Sequence, residues 1–125
     1  EGTIFETSIK WLEEKLTKFD EYWSPRIVAE VNNHQIKVAK SLGSFVWHKH
    51  DDSDEMFLVI KGKLIIEFRD RKVTLNPGDL CVVPKGVEHR PVSPEEAHVL
   101  LFEPKGLLNT GDTKSDLTAD NPEWI

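Results

Sequence analysis

Four residues suited to binding a transition metal lie in a few short segments of the 125-residue chain. His48 and His50 are separated by one residue, so both imidazoles point to the same face if this segment is a β-strand. Glu55 begins the next apolar segment and heads the face that it shares with two apolar side chains. If the segment that carries His89 is a neighbouring strand of one barrel, three imidazoles and one carboxylate converge in its interior.

This set of donors indicates which ions the site would accept. Three histidines and one glutamate suit Fe(II), Mn(II), Co(II), Ni(II), Cu(II) or Zn(II), whereas Ca²⁺ prefers a cage of oxygen ligands. Four protein ligands in a roughly octahedral arrangement leave two positions for water, oxygen or a chelating substrate. A closed tetrahedral zinc site has no such opening. The sequence therefore predicts one divalent transition metal ion per chain.

The elements that must position these residues are read as short β-strands. From residue 26 to residue 103, apolar or alternating segments are separated by turn residues at short intervals, which is typical of an all-β sandwich or barrel. The turn at 76–79, with sequence Asn-Pro-Gly-Asp, suits a type II turn. The predicted strands are Arg26–Val31, 35–40, 45–50, Glu55–Lys61, 64–69, Lys72–Leu75, Leu80–Val83, 88–92 and 98–103.

The first 25 residues follow a different pattern. Apolar side chains recur at alternating intervals of four and three residues, at Phe5, Ile9, Leu12, Leu16, Phe19 and Trp23. This spacing predicts an amphipathic helix of three to four turns, which ends near Asp20 and before Pro25. Its polar face mixes acids and bases, so we expect it to pack on the fold or a partner subunit rather than on a membrane. We divide the chain into an N-terminal helical segment (1–25), a barrel (26–103) and a C-terminal tail (104–125), together forming one domain.

The net charge and composition of the chain indicate which partners it would bind and in which cellular compartment we expect it. The net charge is −6 without a basic stripe, so the chain would repel nucleic acid. No run approaches the roughly 18 apolar residues that a membrane span requires. Cys81 is the single cysteine and cannot form an internal disulfide, and the N-terminal residues do not resemble a signal peptide. We therefore expect a cytoplasmic protein that binds neither nucleic acid nor membranes.

Several predicted strands are apolar on both faces. In the segment Glu55–Lys61, Phe57 and Val59 share one face, while Met56, Leu58 and Ile60 share the other. A sheet with one face in water would not show this pattern. Because the sequence predicts only one helix to cover the second face, we expect a homodimer.

Two motifs place the candidate ligands in a family pattern. The first, Gly43-x4-His48-x-His50-x4-Glu55-x6-Gly62, resembles the first cupin motif, and Gly78-x5-Pro84-x-Gly86-x2-His89 resembles the second. The spacing of Gly43 is one residue shorter than the commonest pattern, and Ser93 stands where asparagine is frequent. The resemblance covers about residues 26–103. More loosely, the chain is similar to small single-domain bacterial cupins, which are often labelled mannose-6-phosphate isomerase-like because of their shared fold.

The resemblance implies a fold, a ligand set and a choice of activities. The fold would be an all-β cupin double-stranded jelly-roll barrel with an N-terminal amphipathic helix, and the metal ligands would be His48, His50, Glu55 and His89. We expect a metal-dependent enzyme that acts on a small chelating metabolite held in the barrel. Iron, nickel or copper would favour a dioxygenase, and zinc or manganese an isomerase of a hydroxy-carbonyl compound such as a sugar. The alternatives are a non-catalytic module that binds a small molecule or sugar, and a purely structural role.

Isomerisation requires a base near the metal, and two residues are candidates for it. Glu55 is one, and His98 is the other because it shares a strand face with Leu100 and Phe102 and could line the pocket. A partly buried structural histidine is the alternative interpretation of His98. We expect His34 to lie exposed in a turn. The interior carries no clear lysine or arginine clamp, which argues against a phosphorylated sugar.

Overall fold

The structure, a computed structural model, describes residues 9–125. Within that range it contains one short α-helix and seven β-strands, and every pair of strands is antiparallel. The all-β prediction is therefore confirmed. The elements are α1 (Leu12–Leu16), β1 (Arg26–Val31), β2 (His34–Ser44), β3 (Glu55–Lys61), β4 (Leu64–Glu67), β5 (Lys72–Leu75), β6 (Leu80–Val83) and β7 (Arg90–Pro104).

The long strand β7 organises the sheet because it changes partners along its length. It pairs with β2 over residues 92–93 and 97–104, with β3 over residues 98–102 and with β4 over residues 90–92. β1 pairs with β2, β6 with β3, and β5 with β4. The side chains enclosed by these strands form the main core, which consists of Ala39, Phe57, Val59, Leu64, Ile66, Phe68, Leu75, Val83, Val99 and Leu101.

Two of the predicted strand assignments were wrong. Segment 45–50 is not a regular strand, because its backbone pairs with other segments only at single points, such as His48 with His89. Segments 88–92 and 98–103 were predicted as separate strands, but most of both lies in the single strand β7. The register of β2 and β7 shifts between Ser41 and Gly43, and this irregularity accommodates residues 94–96, which include Pro94.

The N-terminal helix is shorter than predicted. Hydrogen bonds from the Thr17 and Lys18 N–H groups to carbonyls three residues earlier tighten its last turn, and the Thr17 hydroxyl also donates to Glu14 O at 2.6 Å. Beyond this turn the Trp23 N–H donates to the Lys40 carbonyl at 2.9 Å, so the chain runs beside β2 instead of continuing as a helix. The predicted helical position Phe5 lies outside the described residues.

The outer face of the sheet is covered at one end. Leu16 and Phe19 pack there with Val28 and Val38, and Ile125 of the C-terminal region joins this second cluster. His34 also lies on the sheet: it is the first residue of β2, and its ring stacks on Phe102 with centroids 5.0 Å apart. The expectation that His34 is in an exposed turn was therefore wrong. Among residues 9–125, the structure contains no helix long and apolar enough to cross a membrane.

Candidate metal centre

The structure brings the four predicted ligands together. One ligand atom from each of His48, His50, Glu55 and His89 lies within 4.8 Å of the others, and all four residues are buried. The backbones of His48 and His89 exchange two hydrogen bonds of 3.0 and 2.9 Å, which hold the two ligand segments side by side. Glu55 begins β3, where it pairs with Val83 of β6, and its side chain faces inward.

Backbone carbonyls orient two of the three imidazoles. His48 Nδ1 donates to Val46 O at 2.9 Å, and His89 Nδ1 donates to Val87 O at 3.0 Å. A carbonyl only accepts, so the proton of each neutral ring is on Nδ1, and Nε2 carries a lone pair. Burial, together with the charge of His89, lowers the pKa of His48 to about 4. His48 is therefore neutral near pH 7, which is the form that binds a metal.

A single carboxylate oxygen faces the other two imidazoles. Glu55 Oε1 lies 3.1 Å from His50 Nε2 and 3.1 Å from His89 Nε2. Burial acts to raise the pKa of Glu55, but its close contacts with the His50 and His89 rings outweigh burial and lower that pKa below its usual value. Burial likewise opposes the charged form of His50, and contact with Glu55 raises the pKa of His50 above its usual value. The Glu55 side chain is thus held as an anion.

These contacts fit a bound cation. With the proton on Nδ1, the His89 Nε2 lone pair faces a carboxylate oxygen, and the two atoms repel each other unless a cation or proton lies between them. Two ligand atoms about 2.1 Å from one ion and at right angles to each other are about 3.0 Å apart. His48 Nε2 is buried without a hydrogen-bond partner among residues 9–125. The donor set therefore fits a transition metal.

A small cavity lies against two of these ligands. His48 and Glu55 line it, and its volume is about 40 Å³. Apolar and aromatic side chains supply most of the wall, and none of the lining residues in the described chain is lysine or arginine. The other lining residues are Trp23, Pro25, Ala39, Ser41, Phe45, Phe57, Leu64, Pro91, Val99, Leu101 and Asn109.

His98 is not brought to this cavity. It alternates on β7 with Val99 and Leu101, whose side chains line the cavity, and its own side chain lies on the opposite face. There His98 Nε2 pairs with Glu96 at 2.8 Å, and Nδ1 lies 3.6 Å from a carboxylate oxygen of Glu13. The expectation that His98 lines the pocket as a base is not supported by this placement.

A buried ion pair near the ligands was missed from the sequence. Lys37 Nζ lies 3.7 Å from Glu103 Oε1, and both residues are 2% exposed. Met56 of β3 pairs with Phe102 of β7, so the next positions along these strands place Glu103 beside Glu55. Burial and the charge of Glu55 raise the pKa of Glu103. Lys37 shares a strand face with Ala39, and Glu103 shares one with Leu101. The strand alternation therefore places both charged side chains in the interior, which could have indicated a buried pair.

Trp23 and Asn109 were also missed as wall residues. The ring of Trp23 stacks on Phe45 with centroids 4.9 Å apart, and Asn109 Nδ2 donates to the Trp23 carbonyl at 3.3 Å. Trp23 has a φ of +57°, which is rare for a bulky residue. The helical spacing placed Trp23 on the helix stripe, and nothing in the sequence linked the tail residue Asn109 to the cavity.

The antiparallel fold and its histidine-rich centre define a class of small β-barrel proteins, and comparison with known families identifies it. Residues 35–103 match the cupin domain family, so the chain belongs to the cupins. The predicted jelly-roll fold is confirmed by solved cupin structures. A cupin-2 domain protein from Shewanella frigidimarina NCIMB 400 is 45% identical, with a TM-score of 0.77, over 78% of this chain and 96% of the other.

Two further relatives are similar over different lengths. NMB1881 from Neisseria meningitidis is 33% identical, with a TM-score of 0.71, over 78% of this chain and 99% of the other. The uncharacterized protein YdbB from Bacillus subtilis is 42% identical over 64 residues, which are 50% of this chain and 57% of YdbB. The match thus spans little more than half the length of YdbB. Hydroquinone 1,2-dioxygenase from Sphingomonas sp. TTNP3 shares the fold at 22% identity and a TM-score of 0.70, over 79% of this chain and 32% of the enzyme.

Proposed function

We propose that this cupin binds one divalent transition metal ion through His48, His50, Glu55 and His89, and that it is a metal-dependent enzyme for a small chelating metabolite. The observation that supports this most strongly is the meeting of two imidazole Nε2 atoms with one buried carboxylate oxygen at 3.1 Å. An ion held there would supply a Lewis-acidic centre and, if it is iron, nickel or copper, the redox capacity for reactions with dioxygen.

The protein's own residues would prepare this site in three ways. Glu55 stays anionic and balances part of the charge of the ion. The carbonyls of Val46 and Val87 hold His48 and His89 in the tautomer whose Nε2 faces inward. The apolar wall excludes water from the ligand pair His48 and Glu55, which strengthens their electrostatic interactions with a chelating ligand.

The cavity favours the dioxygenase type of chemistry over isomerisation. An isomerase needs a base that can reach a substrate C–H bond. Among the described residues that line the cavity, His48 and Glu55 are the ionisable ones, and both are assigned to the metal. A phosphorylated sugar would also meet no lining lysine or arginine, so the mannose-6-phosphate isomerase-like label receives less support. We favour an enol, diol or thiol-like chelator with an apolar body.

Metal content tests the ligand assignment. Elemental mass spectrometry of protein purified without chelators should find about one equivalent of transition metal per chain. His48→Ala and His89→Ala should lower metal affinity by orders of magnitude because each removes a ligand. His34→Ala is the matched control, since His34 stacks on Phe102 outside the centre, and it should keep the wild-type metal content. Equal metal content in all three variants would contradict the assignment.

Oxygen consumption by the metal-loaded protein then distinguishes an enzyme from a binding module. Catechol, acetylacetone and mercaptoethanol represent a diol, an enol and a thiol. Oxygen uptake with one of them, absent from His48→Ala, would support the dioxygenase. Recovery of a bound ligand unchanged would support the alternative, a module that binds a small molecule or sugar without turnover.

We also propose a homodimer located in the cytoplasm. The location is supported by the single, half-buried Cys81, since a thiol without an internal partner suits a reducing compartment. The dimer is supported by exposed apolar side chains on β6, where Leu80 and Val82 are 54% and 52% exposed. β6 itself carries no charged side chain, so two chains of net charge −6 can bring this strand together without opposing like charges on it.

A further inference from the structure

The segment that carries two of the four ligands has little regular structure of its own. His48 and His50 lie in residues 45–50, which are held by single contacts instead of a strand ladder. On one side the His48 backbone pairs with His89, and the His50 carbonyl accepts a hydrogen bond of 2.8 Å from the Gly86 N–H. The position of the imidazoles therefore depends on what supports the other side of this segment.

That support comes from residues 111–113 of the C-terminal region. Lys49 N–H donates to Asp112 Oδ1 at 3.0 Å, and the Asp112 N–H donates to the Lys49 carbonyl at 3.1 Å. The Thr113 hydroxyl donates to the Trp47 carbonyl at 2.9 Å. Three hydrogen bonds thus tie the C-terminal region to the two residues that flank His48.

Gly111 makes this support unusually close. Its φ is +55°, and a Cβ atom placed on it would overlap the Lys49 carbonyl oxygen and lie 3.2 Å from His50 Nδ1. Packing at this distance is open only to glycine, because any side chain would push the Lys49–His50 backbone away. Any side chain at position 111 would therefore crowd the proposed metal ligand His50 as well as the backbone beside it.

The supporting residues are themselves anchored in the fold. Asn109 donates to the Leu117 carbonyl at 2.9 Å and accepts from the Ala119 N–H at 2.8 Å. Thr110 is fully buried, and its hydroxyl hydrogen-bonds with that of Thr118 at 2.7 Å. A folded loop, rather than a loose chain end, lies behind the ligand segment.

We propose that residues 111–113 are a positioning segment for the metal centre, in which Gly111 sets the place of His50 and the Asp112 and Thr113 side chains hold the segment that carries His48. This inference rests on the proposed metal site. The positioning segment touches no metal itself and acts through the ligands that it supports. It makes the strength and geometry of the centre depend on a region outside the matched cupin domain, residues 35–103.

The test compares two glycines of the C-terminal region. Gly106 also has a positive φ, +87°, but a Cβ atom on it would meet nothing within 4 Å. Both substitutions place an alanine at a positive φ, and only Gly111→Ala also displaces the ligand segment. In the full chain loaded with Co(II), we expect Gly111→Ala to lower Co(II) affinity by about tenfold or more and to change the visible absorption bands. Gly106→Ala should match the wild type in both.

A second pair of variants covers the case in which Gly111→Ala does not fold. Asp112→Ala removes the acceptor of the Lys49 N–H, while Asp112→Asn keeps an oxygen in that place. We expect Asp112→Ala to weaken Co(II) binding and shift the absorption bands, and Asp112→Asn to restore both. Urea unfolding of the metal-free variants measures any general loss of stability separately.

The outcomes separate the two proposals. Wild-type affinity and spectrum in Gly111→Ala and in Asp112→Ala would overturn the positioning role and leave the metal site standing. A change in metal-free stability alone would also overturn it. Wild-type protein that binds no Co(II) would overturn the metal site, and the positioning segment with it.

Discussion

Among individual residues, Lys37 and Glu103 form a buried pair that costs folding free energy. Glu103 lies beside Glu55, so the pair affects the electrostatics of the candidate metal centre. Removing two charges from water costs several kcal/mol per ion, which a single contact of 3.7 Å offsets only in part. Glu103 Oε2 is buried and has no hydrogen-bond partner in the described part of the chain. Glu103 lies next to Glu55, and the Lys37 ammonium offsets the repulsion between their two carboxylates.

The stability of a Lys37→Met variant should depend on pH. Burial and Glu55 raise the pKa of Glu103, and Lys37 lowers it. Removing Lys37 therefore raises the pKa of Glu103 further above the value that this carboxyl has in the unfolded chain. A carboxyl whose folded pKa is raised contributes stability below its unfolded pKa and loses it as pH rises. Burial and Glu55 hold the pKa of Glu103 at about 8 even with Lys37 present, so wild type and variant differ in Glu103 protonation only above about pH 7. In urea unfolding of metal-free protein, the loss of stability relative to wild type should be about 1 kcal/mol greater at pH 9 than at pH 6.

The double variant Lys37→Met/Glu103→Leu is the control for this prediction. It removes both ionisable groups, so it should recover most of the stability and show no greater loss at pH 9 than at pH 6. A Lys37→Met variant with the same loss at both pH values would show that Glu103 does not take up a proton when its partner is removed.

The convergence of the four ligands could be predicted because it depends on local rules. His48 and His50 are separated by one residue and reach the same centre although their segment is not a regular strand, and the turns at Gly78 and Gly86 limit where His89 can lie. The pairing of Lys37 with Glu103 depends on the register of β2 against β7, which brings together residues 66 positions apart. Alternation could place each charged side chain in the interior, but register is decided by the folded sheet as a whole, so no local signal brought the two together.

At the level of elements, the segment between α1 and β1 forms part of the cavity wall. Trp23 follows the helix, and its indole N–H donates to the Leu42 carbonyl at 2.9 Å while its ring stacks on Phe45. The same ring lines the cavity. The space beside His48 and Glu55 is therefore limited by a residue of the N-terminal segment, outside the matched domain.

Trp23→Ala should enlarge the cavity and change which chelators fit. Acetohydroxamate and benzohydroxamate bind a metal in the same way and differ in the size of their apolar part. In Co(II)-loaded protein, the variant should bind benzohydroxamate about tenfold better relative to acetohydroxamate than the wild type does, measured by absorption titration. Trp11→Ala is the control, because Trp11 is 64% exposed, and it should keep the wild-type ratio. An unchanged ratio in Trp23→Ala would exclude Trp23 as a size limit.

The strands could be predicted better than the helix, for a physical reason. Alternation in β3 reflects burial on one face and was read correctly to its ends, Glu55 and Lys61. The apolar spacing of residues 9–23 also fits a helical period. However, the Lys40 ammonium donates to the Phe19 carbonyl and the Trp23 N–H donates to the Lys40 carbonyl, which holds the second half of this segment against β2. Tertiary contacts outweighed the local preference there.

For the molecule as a whole, the two ends of the outer face of the sheet differ in how far other residues of the described chain cover them. At one end α1 and Ile125 pack on β1 and β2. At the other end Leu80 and Val82 of β6 stand beside Leu58 and Met56 of β3, and the described residues place no further layer over them. Among residues 9–125, β6 pairs only with β3, and no described strand pairs with its other edge. An open edge next to apolar side chains suits a twofold contact between identical strands.

A second copy of the chain is therefore the expected cover, and light scattering after gel filtration measures it. Wild-type protein at tens of micromolar should have twice the 14.3 kDa mass of one chain. Leu80→Glu should shift it to the single-chain mass, because each dimer would bury two like charges against each other. Val31→Glu is the matched control: Val31 is 45% exposed on β1, the strand at the other end of the sheet, so this variant should remain dimeric. Wild-type protein at the single-chain mass, or dissociation by Val31→Glu and not by Leu80→Glu, would show that β6 is not the contact.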